Sequence, residues 1–351
     1  MNNNIKFLSE KVAGLTPYVA GIQPKESGWV KLNTNENPYP PSPKIAEVLE
    51  NADLARLRLY PNSDSESLCK TLADYWDVPP SNVFVGNGSD EVLAFAFGAF
   101  FDSKDGVMMP DISYGFYPVW AELFNVGVDI CPIADDFTIN PGDYKNANGV
   151  VIANPNAPTS IVLRLEEIEQ IVKQNPQCVV LVDEAYMDFS TEESAIVLTG
   201  KYDNLLVVRT FSKSHSLAGL RVGYAVGNEN LIDGLQRMKH SFNSYPLDML
   251  AQLCAEASIK DVDYWDETRR QIVETRDKTA KELEALGYQV LPSQTNFLLI
   301  KAPDAKGLYD YLLKHKVLAR YWDKPRICDF LRVTIGTEKE MEEFLKCIKQ
   351  F

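Results

Sequence analysis

Residues 205–224 read LLVVRTFSKSHSLAGLRVGY: an apolar run, a polar loop, and a second apolar run that continues to Val226. Short runs that are apolar throughout are what strands covered on both faces require, whereas a half-exposed strand would alternate. The loop between them carries Thr210, Ser212, Lys213 and Arg221. A lysine directly after such a strand fits an ordinary surface position. The two hydroxyls and the arginine also fit half of a phosphate clamp, because a guanidinium and neighbouring O–H groups suit a multi-oxygen anion.

The same pattern extends upstream. VFV, GVMM, VDIC, GVVIA and CVVLV are short apolar runs, and helices are expected at 90–101, 114–124 and 165–174. This alternation predicts an α/β fold with a large, doubly wound, mostly parallel sheet. Before it, Ser42-Pro43 predicts a helix start with Pro43 at the first helical position. Ser63 with Glu66 predicts a capping box for the helix that follows. After Pro246 the pattern changes to the charged helix WDETRRQIVETRDKTAKELEAL, the stretch YQVLPSQTNFLLIKA, the helix AKGLYDYLLKH, the strands VLARYW and FLRVTIG, and a last helix. The expected organisation is an arm over 1–41 that contributes to the small domain and the site, a large α/β domain over 42–246, and a smaller α+β domain over 247–351. A cleft between two such domains is a common place for small molecules.

Composition narrows the function. Lys plus Arg number 35 against 49 Asp plus Glu, a net charge of −14 over 351 residues, which argues against nucleic acid as a partner. An anionic substrate would then need a local arginine pocket. The six cysteines are scattered with no C-x-x-C pair, so neither a zinc site nor a disulfide framework is indicated, and reduced thiols in the cytoplasm are expected. His215, His240 and His315 have no metal-ligand spacing, and no metal is expected. The first residues, MNNNIKFLSEKVAG, contain no apolar signal core, and no run is long enough for a membrane span.

In open α/β sheets ligands bind beyond the carboxyl ends of the strands. There the expected strands end in GNGSDE (86–91), NPNAPTS (154–160), Asp183-Glu184-Ala185-Tyr186, and the Lys213 loop. GNGSDE places small residues before a helix, which suits either a plain turn or a phosphate held on free N–H groups; it lacks the full dinucleotide fingerprint. Asp183 at the end of a buried strand needs a partner, since burying a lone carboxylate is costly. A pyridinium nitrogen is one such partner, and a salt bridge or helix cap is another. A lysine beside a phosphate-bearing cofactor suggests a Schiff base, which requires its neutral amine.

These clusters resemble those of fold-type I pyridoxal phosphate enzymes, the class I and II aminotransferases. SKSHSLAGLRVGY resembles their Schiff-base lysine motif, LVDEAY their Asp–Tyr motif, GNGSDE their phosphate loop, and NPNAPTS their N-P-T-G turn. LTPYVAG, LNTNENPY, LYPNSDSESL, VLARYW and FLRVTIGT narrow the resemblance to the histidinol-phosphate aminotransferase subfamily. The resemblance covers nearly the whole chain.

It implies pyridoxal 5′-phosphate as cofactor and transamination between an amino-donor phosphate ester and a 2-oxo acid. Other members of the fold, an aromatic amino-acid aminotransferase or a threonine-phosphate decarboxylase, are the alternatives. A non-catalytic domain of the kind attached to DNA-binding regulators is disfavoured by the charge and by Lys213. By the same resemblance, Lys213 would bond the cofactor and then serve as general base and acid. Asp183 would keep the ring nitrogen protonated, Tyr186 would hydrogen-bond the ring 3′-oxygen, and Tyr114 would stack on the ring unless it is a core aromatic. Ser89 and Asp90 backbone amides, Thr210, Ser212 and Arg221 would hold the phosphate. Tyr60 would reach the phosphate in a neighbouring subunit, implying a homodimer. Arg332 would grip the substrate anion, with Arg320 as a second contact or as a surface ion pair, and Tyr18 and Asn33 would close over the substrate. One departure stands out. Aligned on Pro158-Thr159, the family asparagine that donates to the 3′-oxygen is Ala157, and the final glycine is Ser160.

Overall fold

The computed structural model describes residues 7–101 and 106–351, so the first six residues of the amino-terminal stretch lie outside it. Its strands are β1 (Val30–Lys31), β2 (Val83–Asn87), β3 (Val107–Pro110), β4 (Val128–Cys131), β5 (Val150–Ala153), β6 (Val180–Asp183), β7 (Leu205–Thr210), β8 (Val222–Gly227), β9 (Gln289–Val290), β10 (Phe297–Lys301), β11 (Val317–Leu318), β12 (Arg320–Tyr321) and β13 (Phe330–Thr334). A seven-stranded sheet runs in the order β2-β8-β7-β6-β5-β3-β4. Every pair is parallel except the two that involve β8, which lies antiparallel to both β7 and β2.

Alternate residues of these strands feed two cores. Val150, Ile152, Val180, Val182, Leu205 and Val207 pack against the helices Glu66–Trp76, Leu165–Gln174 and Met249–Lys260 on one face. Val151, Leu181, Leu206, Val208 and Ala225 pack against the helix Gly88–Phe100 on the other. Burial on both faces explains why the central strands read as continuous apolar runs. The exception is β4 at the sheet edge, where Val128 and Ile130 are exposed.

A second sheet, β12-β13-β10-β9, is antiparallel. It forms a third core with the helices Val262–Ala285, Ala305–Lys314 and Glu338–Gln350. The arm joins it: β1 pairs parallel with β11, and Leu32 is buried in that core.

Four local expectations are corrected. The helix after Ser63 begins at Glu66, behind a left-handed Ser65 whose side chain caps nothing; Asn62 Oδ1 accepts instead from the amides of Asp64 and Glu66. The helix after Ser42 spans Lys44–Glu50, with Pro43 just outside it and Ser42 Oγ accepting from the Lys44 amide. The helix expected from Tyr114 begins only at Tyr117, leaving Tyr114 in the preceding turn. VLARYW splits into β11 and β12, which pair with different sheets.

Candidate active site

The antiparallel placement of β8 builds one half of the site. Its first residues pair with the last residues of both neighbours, Gly223 with Thr210 of β7 and Val222 with Asn87 of β2. Arg221, which immediately precedes β8 in a left-handed conformation, therefore stands beside Thr210, Ser212 and the start of the helix Gly88–Phe100. The approach is close enough to require glycine. A Cβ on Gly223 would lie 2.2 Å from the Ser89 amide nitrogen, and one on Gly88 (φ +79) would lie 2.5 Å from the Arg221 guanidinium. Arg221 Nη2 donates to Asp90 Oδ2 at 2.9 Å, and Tyr114 Oη donates to Asp90 Oδ1 at 2.8 Å. Thr210 Oγ1 donates to Ser212 Oγ at 3.0 Å and accepts from the Ser212 amide. The first-turn amides of a helix, two hydroxyls and a guanidinium thus line one end of a pocket, the donor set an anion needs.

Asp183 ends β6 on the pocket floor and is 4% exposed. Tyr117 Oη donates to its Oδ2 at 2.9 Å and the Ala185 amide to its Oδ1 at 3.1 Å. Burial pushes its carboxyl up to about 6, although both hydrogen bonds pull the other way. Among the described residues no cation pairs with it. Tyr186 faces the same pocket, and Lys213 Nζ lies 5.6 Å from its ring centroid while donating to the Thr34 carbonyl at 3.1 Å. The Lys213 backbone is itself tethered, because Asn37 Nδ2 donates to the carbonyls of both Lys213 and Ser214 at 3.1 Å.

The opposite wall comes from the arm and the small sheet. Arg332 on β13 donates from Nη2 to the Asn33 carbonyl at 2.9 Å, and its Nε is enclosed with no hydrogen-bond partner among the described residues. Burial lowers its pKa, and the charge of Arg320 acts in the same direction. Arg320 makes no ion pair among the described residues; its Nη2 donates to the Val19 carbonyl at 3.1 Å. Tyr18 stacks on Phe116 at 4.3 Å and lines the pocket together with Asn33. Of the expected site residues only Tyr60 lies outside: it is 80% exposed and stacks on Tyr245 at 4.6 Å. Conversely Thr34, Asn35 and Tyr117 belong to the site though nothing in their spacing marks them in advance.

Comparison with known proteins bears directly on this arrangement. Residues 27–348 match the family model of aminotransferase class I and II. The chain belongs to that family. A histidinol-phosphate aminotransferase from Brachyspira hyodysenteriae is 47% identical over 346 residues, spanning 98% of each chain. One from Hydrogenovibrio crunogenus is 49% identical over 346 residues, 98% of this chain and 97% of the relative. The crystal structure of histidinol-phosphate aminotransferase from Sinorhizobium meliloti in complex with pyridoxal 5′-phosphate shares the fold, with a TM-score of 0.89, 21% identity and 99% coverage of each chain.

The residues of this aminotransferase fit pyridoxal 5′-phosphate. Asp183 is a buried carboxylate lacking a cation, which a protonated ring nitrogen would supply. The donor set around Arg221 and Ser89 would receive the phosphate, and Lys213 lines the same pocket. The turn at Ala157 also becomes clear. Asn154 is spent on the turn itself, exchanging hydrogen bonds with the Leu163 amide and carbonyl. Asn156 bonds to Ile112, Thr159 and Ser113. Only Ala157 of this turn lines the pocket, so neither neighbouring asparagine replaces the missing side chain. Among the described residues no cluster of His, Cys, Asp or Glu could hold a metal ion. His215 is buried against Ser258 and Trp265, His240 pairs with Asp64, and His315 bonds the Tyr311 carbonyl.

Proposed function

We propose that this aminotransferase exchanges the amino group of L-histidinol phosphate with 2-oxoglutarate, giving imidazole acetol phosphate and L-glutamate, in cytoplasmic histidine biosynthesis. The observation that carries the proposal is Arg332, whose enclosed Nε has no partner and whose charge no carboxylate pairs with among the described residues. Beside it stands Arg320, also without an ion pair among the described residues. Two uncompensated guanidiniums facing one pocket suit a phosphate ester and, in the second half of the reaction, a dicarboxylate. The names of the relatives at 47% and 49% identity support the same substrate. Among the described residues no helix is long and apolar enough to cross a membrane.

Bound pyridoxal phosphate supplies a carbonyl that accepts the amino group and a ring that takes up the electron pair left when the Cα proton departs. In our reading Ser89, Asp90, Thr210, Ser212 and Arg221 fix its phosphate, and Asp183 holds its nitrogen protonated. The Lys213 amine, once released from the cofactor, would take the proton from the substrate Cα and deliver it to the carbon of the cofactor's former carbonyl. Arg332 and Arg320 orient the substrate by its anion, and Tyr18 and Asn33 exclude water above it. Residues 42–246 would carry the cofactor, with 247–351 and the arm 1–41 closing on the substrate.

We further propose a homodimer in which Tyr60 completes the neighbour's phosphate site. Leu54, Leu57, Leu59 and Tyr60 are 62%, 56%, 54% and 80% exposed within one short segment, an apolar surface that favours a protein partner.

The discriminating experiment offers the purified holoenzyme 2-oxoglutarate with L-histidinol phosphate, L-phenylalanine or L-threonine phosphate. Glutamate should form fastest with histidinol phosphate. Brisk turnover of phenylalanine, or carbon dioxide from threonine phosphate, with histidinol phosphate inert, would overturn the proposal.

A further inference from the structure

Tyr186 and the arm are joined by a hydrogen-bond chain whose donors and acceptors can all be assigned. The Asn35 amide N–H donates to Thr334 Oγ1 at 2.9 Å, which uses that oxygen as an acceptor. The Thr334 hydroxyl then donates to Asn35 Oδ1, also at 2.9 Å. With its oxygen committed to Thr334, Asn35 presents Nδ2, a donor only, to Tyr186 Oη at 2.9 Å. Asn35 is 1% exposed, its backbone sits at φ +56, a conformation asparagine tolerates, and Asn296 Nδ2 holds its carbonyl at 3.0 Å. Turned over, the amide would set a second donor on Thr334 Oγ1 and take away the acceptor of that buried hydroxyl's hydrogen, which disfavours the reversed orientation.

A phenol has one hydrogen. Since Tyr186 Oη accepts from Asn35, its own O–H is left to donate elsewhere, and the rest of the ring faces the pocket. The turn that would bring a second donor to this place carries Ala157 instead. We propose that Asn35 is a positioning residue that compels Tyr186 to donate its hydroxyl into the pocket, so that the arm fixes the hydrogen bond to the cofactor's 3′-oxygen that the Ala157 turn cannot make. This rests on the reading of the pocket as a pyridoxal phosphate site.

The consequence is electronic as well as structural. A hydrogen bond donated to the 3′-oxygen withdraws negative charge from it, and the nitrogen through which Lys213 joins the cofactor then releases its proton at lower pH. The charged and titratable groups facing Tyr186 are Arg332, a cation with no acceptor, Tyr114 and Tyr117, whose hydroxyls are engaged with Asp90 and Asp183, and Lys213 across its ring, which in the holoenzyme is bonded to the cofactor. The alternative acceptor appears only if Asn35 becomes one.

Asn35→Asp keeps the shape and the backbone preference but replaces the donor with an acceptor. Titrating the visible absorption band of the holoenzyme should show the midpoint raised by about one pH unit, a tenfold change in proton affinity. Thr334→Val, which frees the Asn35 amide to turn, should move it the same way by less and without adding charge. It also serves as the test if Asn35→Asp fails to load cofactor. In a Tyr186→Phe background neither substitution should shift the midpoint further. An unchanged midpoint in both single variants overturns the inference, as does a shift that persists undiminished in Tyr186→Phe. A Lys213→Ala variant that still holds the cofactor covalently would instead overturn the underlying site reading, so the two failures are distinguishable by borohydride trapping.

Discussion

Asp183 is a carboxylate with two hydrogen-bond donors and no cation, buried at the end of β6. Its pKa, raised from 3.8 to about 6 by burial, makes it a liability in the cofactor-free protein. The sign follows from proton binding. Below about pH 4 both folded and unfolded chains hold the proton. Between about 4 and 6 the unfolded chain releases it while the folded chain does not, so stability falls as pH rises, by about 3 kcal/mol for two units. Asp183→Asn removes this slope. Urea denaturation of the cofactor-free proteins should therefore show the variant gaining on the wild type across that window, with little further change above it. Loading pyridoxal phosphate should cancel the wild-type penalty, because a ring cation favours the ionised carboxylate. A difference between wild type and variant that does not change with pH would refute this account of Asp183.

At the scale of elements, the site depends on β8 running against its neighbours. The reversal brings Arg221 next to the helix that begins at Gly88, and it leaves no room for a side chain at Gly223. Gly223→Ala would press a Cβ against backbone at Ser89 and Gly88, which cannot move aside as a side-chain tip can. The expected result is a stability loss of about 1–3 kcal/mol, with cofactor affinity falling at least about tenfold as the phosphate amides are displaced. Equilibrium dialysis of pyridoxal phosphate and thermal unfolding read the two effects separately; wild-type affinity in the variant would show that this contact does not shape the phosphate site. The apolar strands, Lys213 and Asp183 were legible in the sequence because burial on two faces and a strand-end carboxylate leave local signatures. The direction of β8 was not, since VGYAV reads the same either way. Nor was Asn35, whose partner Thr334 lies 299 residues on. The misplaced cap at Ser63 has a similar cause: Asn62, one residue earlier, competes for the same amides and wins.

At the scale of the whole molecule, Tyr60 is the one expected cofactor contact that its own chain leaves on the surface, 80% exposed and stacked on Tyr245. If a second copy receives it, the two kinds of site defect must complement each other. Lys213→Ala removes the reacting amine from its own chain, while Tyr60→Ala removes a phosphate contact from the neighbour. In a mixed dimer one site then carries both defects and the other carries neither. Each parent dimer should be inactive or strongly impaired. Unfolding and refolding an equimolar mixture should restore wild-type affinity at one site in each mixed dimer, about a quarter of all sites when assembly is random. Activity at limiting pyridoxal phosphate, with dimer mass checked by sedimentation, measures that fraction. If the mixture shows only the average of its parents although mixed dimers form, Tyr60 acts within its own subunit or on no site at all. If the wild-type chain sediments as a monomer with full activity, the exposed segment 54–60 must serve some other partner.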